Sequence, residues 1–134
     1  MRSILLYMVF LMISSDLLSQ TWTDCCWTKS ESGLEYKIEN KGKGKKLKSG
    51  DSVSIHWVWY DCETGEVLEK SREYNYKPRW AVGSETFVKG FEEGFRKLKR
   101  GGSAYIKIPP EIAFGNDGMN GRKTFCYFIE ILPN

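Results

Sequence analysis

The side chains able to do covalent chemistry are few in this 134-residue chain, and poorly spaced for it. There is one histidine, His56, and there are four cysteines: Cys25, Cys26, Cys62 and Cys126. No Gly-x-Ser-x-Gly occurs, so a hydrolase triad is not expected. No Cys-x-x-Cys occurs and His56 is far from any cysteine pair, so neither a metal site nor a cofactor is expected. His56 also alternates with Trp57, which turns it to the opposite face and suits a structural hydrogen bond. What remains is aromatic: five Trp, seven Tyr and seven Phe. Rings in such number suit non-covalent binding in an apolar hollow. The stretch "IPPEIAFG" (108–115) is the sharpest case. Two prolines end a strand, and the chain at once presents Phe114 before Gly115 lets it turn back.

The elements that must position these rings are mostly strands. "LEYKI" (34–38) alternates, and "SVSIHWVWY" (52–60) sets Val53, Ile55, Trp57 and Trp59 against Ser52, Ser54 and His56. Period two with β-branched and aromatic residues predicts strands with one buried face. "ETG" predicts a turn, and "EVLEKS" returns as its partner. "SAYIKI" (103–108) alternates again. "TFCYFIEIL" (124–132) is apolar on nearly both faces, as a central strand should be. One segment has helical period: Phe87, Phe91, Phe95 and Leu98 share a stripe. Glu92 and Glu93 sit early and Lys97, Lys99 and Arg100 late, which suits the helix dipole. Gly90 and Gly94 cost about 1 kcal/mol each relative to Ala, tolerable where a sheet approaches closely. The fold class is α+β: an antiparallel sheet of five or six strands curled around one short helix.

The termini and charge set the context. An apolar run from Ile4 to Ile13 follows Arg2 and is too short for a spanning helix, which needs about 20 residues. Residues 1–20 read as a cleaved signal peptide and 21–33 as a flexible leader, with the domain at 34–134. The expected location is secreted or periplasmic, with no stable membrane anchor. Export makes disulfides feasible, but four cysteines allow three full pairings and the sequence does not choose among them. The net charge of +3 is too small to imply a nucleic-acid partner. The "KGKGKKLK" cluster (41–48) could touch phosphate or acidic lipid heads, or form a solvated loop, which is the commoner outcome.

Three stretches, "SGDSVSIHWVWYDCETGEVLEKS", "FVKGFEEGFRKLKRGGSAYIKIPPEIAFG" and "TFCYFIEIL", occur in an order that resembles FKBP-type peptidyl-prolyl cis-trans isomerases. The resemblance spans Gly33 to Leu132. It implies a half-barrel over a short helix, and isomerisation of prolyl bonds during folding of exported proteins. An FKBP-like binding module or chaperone with weak or no isomerase activity is the alternative. By motif, it implies a pocket with Trp57, Glu69, Phe114 and Tyr127 in the catalytic positions. Leu68, Trp80, Phe87, Val88 and Phe91 fall in substrate-binding ones, with the Val88 amide as donor to a ligand carbonyl. The implied partners are proline-containing polypeptides and, with weakened affinity, macrolide-type inhibitors; a monomer is expected. The chain departs from the family, which usually has Tyr, Phe, Asp, Trp, Tyr and Phe where this chain has Trp57, Leu68, Glu69, Phe91, Phe114 and Tyr127. The loop after Phe114 is also short and lacks the family's Ile-Pro-Pro stretch.

Overall fold

A computed structural model describes residues 26–115 and 123–133. The segment expected to be a signal peptide, together with Cys25, lies outside them. Seven strands and one α-helix are found among the described residues: β1 (Thr28–Lys29), β2 (Glu35–Asn40), β3 (Ser52–Tyr60), β4 (Val67–Lys70), β5 (Arg79–Ala81), α1 (Lys89–Arg96), β6 (Ser103–Ile108) and β7 (Phe125–Ile131). The sheet runs β1-β2-β6-β7-β3-β4, with β5 paired to β3, and every pairing is antiparallel. The α+β half-barrel expectation holds, with more strands than the five or six expected. The extra one is β1, which pairs Thr28 with Tyr36 and Lys29 with Glu35, inside the stretch expected to be leader. The ammonium of Lys107 lies 4.2 Å above the Trp27 ring and adds a second tie there.

The alternation in β3 sets the layers. Val53 and Ile55 are buried and Trp57 and Trp59 half-buried on the inner face. On the outer face, the His56 ring lies 3.1 Å (Nδ1) from the hydroxyl of Ser71, which is fully buried and accepts the Trp57 N–H at 2.9 Å. A neutral Nδ1 can accept the Ser71 proton while Ser71 accepts from Trp57, which relays one hydrogen bond from strand to ring. Partial burial, and next the nearby Arg72 charge, hold its pKa below the usual 6.5. Folding therefore disfavours the imidazolium: the stabilisation is present above pH 6.5 and fades as pH falls through the lower folded value. An NMR titration should give His56 a midpoint below 6.5; a midpoint at or above it would refute the coupling.

Helix α1 lies across β6 and β7, and its two glycines show why the sequence accepts poor helix formers there. A Cβ on Gly90 would stand 2.4 Å from Ile108 Cγ2, and one on Gly94 would stand 3.1 Å from both Ile106 and Ile129. The branched methyl of Ile108 cannot swing aside without leaving its rotamer. Gly90→Ala should therefore destabilise by ~1–3 kcal/mol through overpacking, although Ala is the better helix former. A thermal melt as stable as the parent's would show that the helix can lift from the sheet. The apolar stripe outruns the helix: Phe87 precedes its N-cap, Val88, and Leu98 follows its end and is buried.

Candidate functional site

Where α1 begins, its N-terminal end and the inner face of β3 and β7 leave a gap. This cavity of about 300 Å³ is lined by Trp57, Thr86, Phe87, Val88, Phe91, Phe114 and Tyr127. No lining residue carries a charge. Phe91 is the hub of the walls, with its ring centroid 5.8 Å from Trp57, 5.2 Å from Phe87 and 5.1 Å from Tyr127, the Trp57 and Tyr127 pairs being edge-to-face. Such perpendicular pairs place ring edges against ring faces, and each adds about 0.5–1.5 kcal/mol beyond area burial. The walls are thus set by the protein itself rather than by a ligand.

Phe114 reaches this cavity through the local chemistry of "IPPEIAFG". β6 ends at Ile108, and Pro110–Ile112 form a 3-10 turn. The Ala113 and Gly115 N–H groups both donate to the Pro110 carbonyl, at 3.1 and 2.8 Å. Gly115 takes φ +66°, a value side chains resist. The turn leaves Phe114 49 % exposed at the cavity mouth, with its ring centroid 5.3 Å from that of Phe125.

The polar groups around the cavity are held rather than displayed. The Tyr74 hydroxyl donates to the Glu69 carboxylate. That bond, with a smaller contribution from burial, pushes the Tyr74 pKa up to about 12. The Tyr74 ring stands edge-on to Trp57 at 5.8 Å and stacks on Tyr76 at 5.6 Å. Burial, and then the Glu69 charge, push Tyr127 up to about 12 as well. Tyr127 therefore keeps its proton near neutral pH, and the cavity stays uncharged.

Six of the expected site residues meet here: Trp57, Phe87, Val88, Phe91, Phe114 and Tyr127. Glu69 lies one residue out, hydrogen-bonded to Tyr74, whose ring stands against Trp57. Two others stand elsewhere. Glu69 pairs across from Trp59, so its neighbour Leu68 points to the outer face and is 48 % exposed. Trp80 pairs with Val53 deep in the sheet, is 1 % exposed, and packs on Phe95 at 5.4 Å. It is a core residue whose Nε1–H finds no partner among the described residues. Thr86 and Tyr74 were not anticipated. Tyr74 sits in a loop with no periodicity, and only its ring type marks it. Cys62 and Cys126 are bridged, with Cα atoms 5.4 Å apart, which selects one of the pairings left open.

A model of FKBP-type peptidyl-prolyl cis-trans isomerases matches residues 43–132. A probable FKBP-type peptidyl-prolyl cis-trans isomerase of Haemophilus influenzae is 32 % identical over 107 residues, covering 77 % of this chain and 43 % of that protein. A probable FK506-binding protein of Corynebacterium glutamicum is 30 % identical over 95 residues, covering 68 % of this chain and 78 % of that protein. The crystal structure of FkpA from Escherichia coli superposes with a TM-score of 0.70 at 26 % identity, covering 81 % of this chain and 51 % of the other. The chain spans under half the length of the Haemophilus protein. With the family pattern matched over most of its length and the fold shared, the chain belongs to the FKBP-type peptidyl-prolyl cis-trans isomerase family.

Proposed function

We propose that this chain catalyses cis-trans isomerisation of peptide bonds preceding proline in polypeptide clients. The observation that carries this reading is the open, ring-walled, uncharged cavity beside Phe91. The reaction breaks no covalent σ bond. Its barrier of about 18–20 kcal/mol comes from amide resonance, which gives the planar form charge separation that the twisted form loses. Water stabilises the planar, polar form more than the twisted one. A cavity that replaces water by rings therefore lowers the barrier, which is differential binding of the transition state. In this reading Trp57, Phe91 and Tyr127 enclose the prolyl ring. The Val88 amide at the N-cap holds a flanking carbonyl and Phe114 covers the mouth. Glu69 steadies the Trp57 wall through Tyr74. Macrolide-type inhibitors of the family would enter the same cavity, with affinity reduced by the altered ring set.

The test is the rate of a prolyl-limited refolding or protease-coupled reaction. Acceleration at micromolar protein supports the reading; a folded protein with no rate gain sinks it. Phe114→Tyr sharpens the test. Phe114 lacks a hydroxyl at the mouth, and one hydrogen bond contributes about 1 kcal/mol net, or about fivefold in rate if made in the transition state. A gain of that order is expected, and an unchanged rate would show that no client carbonyl passes within reach. The missing hydroxyl and the engagement of Glu69 by Tyr74 also favour a second reading: a binding module or chaperone with little catalysis. It predicts suppression of client aggregation without isomerisation.

For location, the N-terminal apolar run together with the Cys62–Cys126 bridge supports an exported protein with residues 1–20 as signal, since disulfides persist in oxidising compartments.

A further inference from the structure

We propose that the end of the molecule remote from the cavity is a docking surface for an anionic lipid bilayer. The sequence holds two basic stretches some fifty residues apart, "KGKGKKLK" and "KLKR". The fold joins them. The Lys43 N–H donates to the Arg100 carbonyl and the Lys99 N–H to the Lys41 carbonyl, both at 2.9 Å. Gly42 lies in this junction at φ +82°, and a Cβ there would stand 2.6 Å from the carbonyls of both Lys99 and Arg100. Only glycine permits so close an approach. The lysines are therefore not a loose run but are pinned against the turn that follows α1.

The result is an uneven molecule. Lys41, Lys43, Lys45, Lys46 and Lys48 are exposed, and Lys99 and Arg100 are half-buried beside them. Two acids lie close in sequence to the lysine stretch: Glu39, which lies 3.8 Å from Lys37, and Asp51, whose carboxylate accepts the Lys48 N–H at 2.8 Å. The chain has 20 Lys and Arg against 17 Asp and Glu, so with these seven cations set aside acids outnumber bases by four. The small net charge that argued against a polyanionic partner conceals this segregation.

The chemistry of the patch favours a bilayer over a nucleic acid. Residues 41–50 and 97–102 contain no aromatic residue on which a base could stack. Six of the seven cations are lysines, compact charges without the planar fork that reads individual phosphates. A diffuse plane of anionic headgroups demands only charge, about 1 kcal/mol for each Lys or Arg near it. The geometry leaves the cavity free. Val88 caps α1 on the cavity wall, Lys99 and Arg100 follow its other end, and eight helical residues separate them by ~12 Å. A bilayer under the basic end would leave the cleft facing away from it.

The test is partition of the full chain onto phosphatidylcholine vesicles with and without about a third phosphatidylglycerol, at low and high salt. The apolar N-terminal run would bind both vesicle types alike, so the readout is the ratio of anionic to neutral binding. That ratio should be well above one at low salt and collapse at high salt. The triple variant Lys43→Gln, Lys45→Gln, Lys46→Gln should lower it by about 100-fold, with an unchanged thermal melt and an unchanged prolyl isomerisation rate. A ratio near one for the parent chain, or a triple variant that keeps the parent's ratio, overturns the proposal. So does salt-sensitive capture of single-stranded DNA with no vesicle preference.

Discussion

Reducing the Cys62–Cys126 bridge should lower the thermal midpoint by roughly 15–30 °C. The two cysteines are 64 residues apart. Closing a loop of that length removes unfolded-chain entropy equivalent to about 4 kcal/mol at 25 °C, and in a domain near 100 residues each kcal/mol moves the midpoint by roughly 4–8 °C. The folded state gives the loss nothing to hide behind. Cys126 is fully buried and adjoins the cavity residue Tyr127, but β7 is paired with β3 on one side and β6 on the other. The hairpin turn that carries Cys62 is likewise held by its own bonds. The Asp61 carboxylate accepts the N–H groups of Glu63 and Thr64, and its backbone bonds to Gly65 and Glu66. The bridge thus joins two pieces that are already ordered when folded, and its effect falls on the unfolded ensemble. The double variant Cys62→Ala, Cys126→Ala should melt where the reduced protein does. Midpoints within a few degrees of the oxidised protein, in either case, would mean that the denatured chain is already compact around these residues.

The legibility of this fold follows burial. β3, β6 and β7 were readable because each has a buried face, and a buried face imposes a period on the residues. The helix was readable from Phe87, Phe91, Phe95 and Leu98 for the same reason, although only Lys89–Arg96 took helical form. β1 was not readable: two exposed residues at a sheet edge carry no period, and their place is decided by the free edge of β2. The cavity divides along the same line. Rings on the inner face of regular elements, such as Trp57 and Tyr127, could be placed from sequence. Leu68 and Trp80 could not, because their positions depend on registers that sequence does not state. Pairing of Glu69 with Trp59 turns Leu68 outward, and pairing with Val53 draws Trp80 into the core. The disulfide and the meeting of the two basic stretches are also tertiary facts, since each joins segments more than fifty residues apart.

Phe91→Ala should damage both stability and activity, and the two losses can be separated. Phe91 is 5 % exposed and touches Trp57, Phe87, Phe95 and Tyr127, so truncation leaves a void among four rings. Removing a buried Phe costs about 3–5 kcal/mol, a large part of the roughly 5–15 kcal/mol a domain commonly has. The protein should still fold at low temperature with its disulfide intact. Under those conditions kcat/KM for prolyl isomerisation should fall by about tenfold or more, since each decade in rate needs only roughly 1.4 kcal/mol of transition-state stabilisation to disappear with the ring. Phe91→Leu distinguishes the causes. It retains most of the apolar volume and so most of the stability, but it removes the flat ring against which a prolyl group would lie. If the cavity acts by ring-walled enclosure, the Leu variant melts close to the parent and still loses activity. If Phe91 only props the core, activity follows stability in both variants, and the Leu form works as well as the parent once folded. That second pattern would leave the cavity as a by-product of packing and remove the physical basis for placing the isomerisation there.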